Sequence, residues 1–141
     1  MFTIRKRSKE MAIGHRLINY TGLCKNVHGH GIYITLELQS KQDPQTGLTV
    51  DFHEVNTFLS ELDSFWDHGF LVNHEDKEML DFLIYTISKH FVTNGNPTME
   101  NLCREVMNLA VRMQVSFLRS IKAVEIAEKG GNDNIARYEI I

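Results

Sequence analysis

The segment HGIYITLELQ, residues 30–39, alternates apolar and polar side chains along its whole length. The apolar residues of one parity are Ile32, Ile34, Leu36 and Leu38, and the residues between them are Tyr33, Thr35, Glu37 and Gln39. Successive side chains of a strand point to opposite faces, so this pattern predicts a long strand with one face in a core. Other elements of the chain must therefore cover that face.

Four main strands are predicted, and one short strand in addition. Residues 1–17 have partial period-two character and predict a first strand before the one at 30–39. Residues 120–128 and 134–141 predict two late strands, separated by a turn at GGND, residues 130–133. A further short strand is expected at 48–52, directly after the turn KQDPQTG.

Two long helices are predicted between the two pairs of strands. Residues 51–65 place apolar side chains at helical spacing, and Asp51 is a suitable N-cap. Residues 95–113 open with Asn-Pro-Thr and carry a second apolar stripe. Residues 67–73 are expected to form a loop, and 75–93 to contain a short helix that leads into the strand-like HFVT.

This order predicts an α+β fold, with two long helices on one face of an antiparallel sheet. The length of 141 residues fits one domain spanning 1–141. A small sheet leaves exposed edges, and pairing of those edges between subunits favours a homo-oligomer.

Composition excludes several classes of function. The net charge of −3 disfavours nucleic acid as a partner, and the basic run at residues 5–9 is interpreted as a solvated strand edge, with a targeting or nucleic-acid role as the alternative. Two cysteines cannot form the disulfide framework of a small secreted domain. Neither a signal peptide nor an apolar run of about 20 residues is present, so we expect no membrane partner and a cytoplasmic location.

Histidines form the first candidate site. His28 and His30 are two residues apart in a strand and therefore point to the same side. If the first two strands form an antiparallel hairpin, His15 lies opposite them, and three imidazoles converge as in a catalytic zinc site with one open position. The alternative is that these histidines are a surface pair or part of a hydrogen-bonded polar face.

Four further residues can take part in chemistry. Cys24 lies in the loop before His28 and is a candidate base or nucleophile, or else a fourth zinc ligand or an inert thiol; Cys103 is assigned to the core. The adjacent Asp67 and His68 can form a proton-transfer pair. The fourth is one of two strand glutamates: Glu125 and Glu128 have opposite parity, so only one of them need face a site, where its carboxylate can accept two N–H groups from the edge of a guanine or pterin ring.

These motifs taken together resemble the 6-pyruvoyl-tetrahydropterin synthase family over residues 2–138. The matching segments are GHRL, CKNVHGH, DPQTGLTVDFHEV, DHGFLVN, NPTMENL and VEIAE. The three-residue gap between Cys24 and His28 is similar to the bacterial branch that makes 6-carboxy-5,6,7,8-tetrahydropterin for queuosine biosynthesis. The branch that makes pyruvoyl-tetrahydropterin usually has a longer gap, and a folate-linked branch usually has glutamate in place of the cysteine.

The resemblance implies a tunnelling fold, with a four-stranded antiparallel sheet, two helices and assembly into trimers or hexamers. It implies zinc bound by His15, His28 and His30, with Cys24 as the base and the pair Asp67 and His68 in proton transfer. The substrate would be 7,8-dihydroneopterin triphosphate, bound through Glu128, Thr98 and Glu100 in a pocket between subunits.

The resemblance has departures, and it leaves alternatives open. The usual LDH is WDH here, the late ET is EK at Glu128 and Lys129, and the segment 75–95 is longer than in the shortest relatives. The alternatives are a sister lyase that makes a different pterin product, and a zinc-stabilised module without catalysis. The second alternative would not require Cys24, Asp67 or His68.

Overall fold

Seven strands of the described residues form one sheet, and three helices cover it. The computed structural model describes residues 1–130 and 134–141. The strands are β1 (Phe2–Arg7), β2 (Met11–His15), β3 (His28–Ser40), β4 (Gly69–Asn73), β5 (His90–Thr93), β6 (Ile121–Glu128) and β7 (Ile135–Glu139). The helices are α1 (Phe52–Trp66), α2 (Lys77–Tyr85) and α3 (Met99–Arg112), with short 3₁₀ turns at Leu23–Lys25 and Leu118–Ser120.

β3 is the centre of the sheet, as its alternation predicts. β1 and β2 both pair with it in antiparallel register, β6 pairs with its other side, and β7 pairs with β6. Its four apolar side chains of one parity are fully buried, namely Ile32, Ile34, Leu36 and Leu38. The α+β class and the pairing of the predicted strands are therefore confirmed.

α1 and α3 pack on the apolar face of β3. Asp51 accepts a hydrogen bond from the His53 N–H and begins α1, and the Thr98 side chain does the same for α3 by accepting from the Asn101 N–H. Both helices contribute buried apolar side chains to the same core cluster as β3, among them Phe58 of α1 and Val106 of α3. No helix in the described residues has both the length and the apolar character needed to span a membrane.

The expected count of four strands is too low. The assignments of residues 48–52 and 67–73 also need correction. Residues 1–17 form two strands, separated at Ser8, which exchanges hydrogen bonds with the backbone of Ile34 through its own N–H and hydroxyl. The predicted strand at 48–52 is absent, because Asp51 caps α1 and Phe52 already begins that helix. The GGND turn lies mostly outside the described residues.

The predicted loop at 67–73 contains a strand instead, β4. β4 pairs in parallel with β2 on one side and with β5 on the other, so the sheet is not antiparallel throughout. Leu71 belongs to the main core, while Phe70 and Val72 pack with Met79 and Leu83 of α2 on the opposite face. A strand covered on both faces lacks alternation, which explains why periodicity did not identify it.

α2 connects β4 to its parallel neighbour β5, and this βαβ unit is tied to the main sheet by an ion pair. Arg16, next to the end of β2, donates two hydrogen bonds of 2.7 and 2.6 Å to Asp76. Asp76 is 4 % exposed and also caps α2 by accepting from the Met79 N–H. The Arg16 hydrogen bonds hold the pKa of Asp76 below its usual 3.8.

We predict that Asp76→Asn destabilises the protein by about 3 kcal/mol at pH 7, because it leaves the half-buried Arg16 guanidinium without its counter-charge. Urea unfolding followed by circular dichroism measures this change. The depressed pKa stabilises the native state above pH 3.8, and this contribution is lost as the pH falls through the folded-state value. The difference between wild type and variant should therefore shrink in strong acid.

Glu78→Gln is the matched control for this prediction. Glu78 also contacts Arg16, at 3.4 Å, but its side chain is 87 % exposed. Exposed ion pairs contribute about 0–1 kcal/mol, so this variant should unfold close to the wild type. Equal losses for the two variants would refute a special role for the buried carboxylate.

Candidate functional site

The three candidate histidines converge at the end of the β2–β3 hairpin. His15 is paired directly with His28 in the antiparallel register, and His30 follows on the same face of β3. The ring centroids lie 4.5 to 5.1 Å apart, and one ring nitrogen from each residue lies within 4.8 Å of the others. A Cβ added at Gly29 would lie 2.9 Å from the Ile13 carbonyl oxygen, so glycine allows the strands to approach here.

Backbone carbonyls orient two of these rings. His15 Nδ1 donates to the Pro97 carbonyl at 2.7 Å, and His28 Nδ1 donates to the Asn26 carbonyl at 2.7 Å. The Nε2 atoms of His15 and His28 are both buried and contact no hydrogen-bond partner among the described residues. This is the arrangement of metal-binding histidines, in which one ring nitrogen is held by a hydrogen bond and the other faces the ion.

The protonation of His15 suits metal binding. Burial lowers the pKa of His15 from its ordinary 6.5, and the neighbouring His28 and His30 lower it further, against the opposing effect of the Pro97 carbonyl. A neutral imidazole keeps a lone pair for a metal ion. Three imidazoles with converging nitrogens, two of them without a hydrogen-bond partner among the described residues, fit a zinc ion and leave a fourth position for another ligand.

A cavity of about 380 Å³ lies beside the histidines. It is lined by four of the other predicted site residues, Cys24, Thr98, Glu100 and Glu128, and by His15 and His30. The cavity is within the size range of small-molecule sites. The Glu128 carboxylate lies 4.0 Å from His30 Nε2. One chain thus brings together the three histidines, the thiol and the carboxylate.

The two cysteines have different environments, as predicted. Cys24 is exposed, in the 3₁₀ turn Leu23–Lys25, and its carbonyl accepts from the Leu17 N–H at 2.9 Å. Cys103 is buried in the core, and burial raises the pKa of its thiol to about 12. Only Cys24 is therefore placed to act on a bound molecule.

The two glutamates of β6 lie on opposite faces of the sheet and therefore have different surroundings. Glu128 lines the cavity on the helix side of the sheet. Glu125 lies on the opposite face, where it is hydrogen-bonded to Arg5 and, at 2.7 Å, to Arg137. Glu128 is therefore the carboxylate available to a ligand.

Comparison with known proteins identifies the family. The sequence matches the family 6-pyruvoyl tetrahydropterin synthase over residues 3–139. The chain belongs to this family. Curated relatives named 6-carboxy-5,6,7,8-tetrahydropterin synthase, from Rickettsia bellii and Rickettsia conorii, are each 27 % identical over 125 residues, which cover 84 % of this chain and 91 % of each relative.

Two solved structures have the same fold as this family member. An uncharacterized protein from Wolinella succinogenes is 20 % identical with a TM-score of 0.81, covering 99 % of this chain and 98 % of the other. The 6-pyruvoyl tetrahydropterin synthase of Caenorhabditis elegans is 20 % identical with a TM-score of 0.72, covering 99 % and 96 %. At this identity the likeness establishes the fold.

The Asp67–His68 pair of this family member lies apart from the cavity. His68 Nδ1 donates to the Asp67 carboxylate at 2.8 Å, and the other carboxylate oxygen accepts from the Ala12 N–H at 2.8 Å. The Ala12 hydrogen bond, reinforced by His68, holds the pKa of Asp67 below 3.8. The His68 side chain is 82 % exposed. His68 lies beside Ala12 of β2, about 10 Å along that strand from His15. Neither residue lines the cavity.

Sequence reasoning missed the residues that orient two of the candidate histidine ligands. Asn26 and Pro97 act through their backbone carbonyls, for which a sequence contains no residue-type signal. The Asn-Pro-Thr motif identified the start of α3, but not its contact with a histidine 82 residues away. Only the fold brings these two segments together.

We predict that the wild-type chain binds one equivalent of Zn²⁺ or Co²⁺, and that His30→Ala weakens binding by at least about 100-fold, because a site of three ligands keeps only two. Isothermal titration of metal-free protein measures the affinity. His53→Ala is the control, since His53 is exposed on α1 and should not affect binding. Equal affinity of His30→Ala and wild type would exclude this cluster as the metal site.

Proposed function

We propose that this chain is a zinc-dependent 6-carboxy-5,6,7,8-tetrahydropterin synthase. It would convert 7,8-dihydroneopterin triphosphate and water to 6-carboxytetrahydropterin, acetaldehyde and triphosphate. The observation that carries the proposal is the convergence of three histidine nitrogens beside a cavity that also contains Cys24 and Glu128. Family membership and the names of the curated relatives support the same class of lyase.

Each side chain of the cavity has a chemical task in this proposal. Glu128 accepts the N–H groups at the edge of the pterin ring, a bidentate contact that fixes the ring's orientation. Thr98 and Glu100, which line the same cavity, lie beside the ring. Cys24, as thiolate, removes a proton from the substrate's side chain, and His68 oriented by Asp67 transfers a proton. The whole chain, 1–141, acts as one domain.

His15, His28 and His30 would hold the zinc ion. When bound, zinc supplies Lewis-acid polarisation of the substrate's side-chain oxygens. The role of the protein is to keep His15 neutral and to orient the rings of His15 and His28. Burial of His15 and the carbonyl contacts of His15 and His28 serve that purpose.

The choice among pterin products rests on two observations. Three residues separate Cys24 from His28, a gap like that of the carboxy-forming branch. The curated relatives carry the name of the same branch. We therefore place the reaction in queuosine biosynthesis and in the reducing cytoplasm, where both cysteines would remain the free thiols seen in the structure.

We propose further that the active site is completed between subunits of a homotrimer or hexamer. The Asp67–His68 pair lies outside the cavity of its own chain, and its imidazole is open to a neighbour. β5 and β7 end the strand order and β1 pairs with β3 alone, so each of these strands can pair with another chain. Exposed apolar side chains at and after the end of α2, including Phe82 and Tyr85, also favour burial in an assembly.

We predict that zinc-loaded protein incubated with 7,8-dihydroneopterin triphosphate yields 6-carboxytetrahydropterin and acetaldehyde, identified by mass spectrometry. Cys24→Ala should lower kcat about 10²- to 10⁴-fold, the usual contribution of a general base, and keep its metal affinity. Cys103→Ala is the control, because the same substitution in the core should leave kcat unchanged.

The alternative products decide between proposals. Pyruvoyl-tetrahydropterin would assign the chain to the sister reaction of the same family. No turnover by a zinc-replete oligomer would overturn the enzymatic proposal. Full activity of Cys24→Ala would remove that thiol from the mechanism.

We predict that Cys24→Ala and His68→Ala subunits, each inactive alone, recover about one quarter of wild-type activity when unfolded, mixed equally and refolded together. If the thiol and the imidazole come from different chains, random assembly leaves about a quarter of the sites with both groups intact. Steady-state assays of the refolded mixture measure the recovery. No recovery in mixed oligomers would indicate that one chain supplies both groups.

A further inference from the structure

Asn96 makes an unusually complete set of hydrogen bonds outside the cavity. Its Oδ1 accepts from the Ile18 N–H at 3.0 Å, and its Nδ2 donates to the Ile18 carbonyl at 2.8 Å. Oδ1 also accepts from Asn73 Nδ2 at 3.1 Å, and Asn73 is only 5 % exposed. The side-chain amide thus pairs with the backbone of Ile18 as a neighbouring strand would.

Asn96 is connected through Pro97 to His15, a candidate metal ligand. Pro97 follows Asn96 directly and is buried, and its carbonyl accepts the hydrogen bond from His15 Nδ1 at 2.7 Å. The position of that carbonyl determines the rotation of the His15 ring, because the hydrogen bond holds one nitrogen and aims the other. Fixing Asn96 therefore fixes His15.

Ile18 is connected through Leu17 to Cys24, the candidate base. Leu17, next to Ile18, donates its N–H to the Cys24 carbonyl at 2.9 Å. This is a link between the end of β2 and the turn that carries the thiol. Holding Ile18 therefore restrains the backbone of Cys24 as well.

We propose that Asn96 is a positioning residue, which sets the His15 ring and the Cys24 turn relative to each other through one side-chain amide. The inference rests on the proposed metal site and adds to it a residue that contacts neither metal nor substrate. Asparagine suits this position for a chemical reason. Asp would lose the donor to the Ile18 carbonyl, and Gln is one methylene too long to keep the same geometry.

A purely structural role for Asn96, in which it begins α3, can be distinguished from the positioning role. Thr98 caps α3 with its own side chain. Asn101 Nδ2 donates to the backbone carbonyl of Asn96 at 2.8 Å, which does not depend on the Asn96 side chain. Asn96→Ala therefore keeps the contacts that begin the helix and removes the contacts to Ile18 and Asn73.

The test uses the full-length chain with Co²⁺ as the probe. Asn96→Ala should bind Co²⁺ about tenfold more weakly than wild type and shift its visible d–d absorption, since loosening of a ligand's support costs 10- to 100-fold in metal affinity. Hydrogen–deuterium exchange should also become faster in residues 17–25. Asn96→Asp, which keeps the acceptor and loses the donor, should shift all three readouts in the same direction and serves if the alanine variant fails to fold.

Two controls separate positioning from loss of stability. Asn94→Ala changes an exposed asparagine two residues earlier. Phe117→Leu removes core packing against Phe58, whose ring centroid lies 6.1 Å from that of Phe117, and neither residue lines the cavity. Both controls should keep the wild-type Co²⁺ affinity, spectrum and exchange of residues 17–25.

The outcomes distinguish this inference from the proposal beneath it. If wild type binds no Co²⁺, the metal site and the inference both fail. If wild type binds and both Asn96 variants keep its affinity and spectrum, the inference alone is overturned. Unchanged exchange of residues 17–25 in both variants would likewise overturn it, because the Cys24 turn would not depend on Asn96.

Discussion

The antiparallel register of β2 on β3 determines where the chemistry of this chain can take place. Met11 lies opposite Ile32, and both side chains are fully buried. The same register places His15 opposite His28. A slip by one residue would turn an apolar side chain outward and separate the imidazoles, so burial of the core maintains the candidate metal site. The histidines continue the core-facing parity of their strands beyond the last apolar residue, at the boundary between the core and the cavity.

This boundary position explains the properties of the site. Burial disfavours the protonated form of His15, and the surrounding packing leaves its Nε2 with no competing partner in the described residues. A polar nitrogen buried in this way costs free energy until it finds a ligand. Cys24 and Glu128 lie at the wall of the cavity that His15 and His30 also line, where a small molecule can reach them. The fold thus places groups suited to a metal beside groups suited to a substrate.

Local patterns predicted the features that depend on parity and capping, and could not predict those that depend on distant contacts. Alternation identified β3 and, with a hairpin register, the meeting of His15 and His28. It failed for β4, since α2 covers the face of β4 opposite the core and removes the alternation. The family resemblance named the Asp67–His68 pair, yet the single chain does not bring that pair to the cavity. The carbonyls that orient the histidines have no signature in any sequence pattern.

Sequence patterns predicted the β4–α2–β5 unit least completely. This unit is attached to the main sheet beside the candidate histidine ligands. Arg16 binds Asp76 at the start of α2, and Asn73 at the end of β4 donates to Asn96. These two contacts lie on either side of His15: Arg16 follows it directly in the chain, and Asn96 precedes Pro97, whose carbonyl accepts from the His15 ring. Local opening of a packed unit releases all its contacts together. Opening of this βαβ unit would therefore loosen the support of His15 while leaving the β2–β3 register intact. The order of the candidate metal site thus depends on the stability of a unit that contributes none of the three histidines.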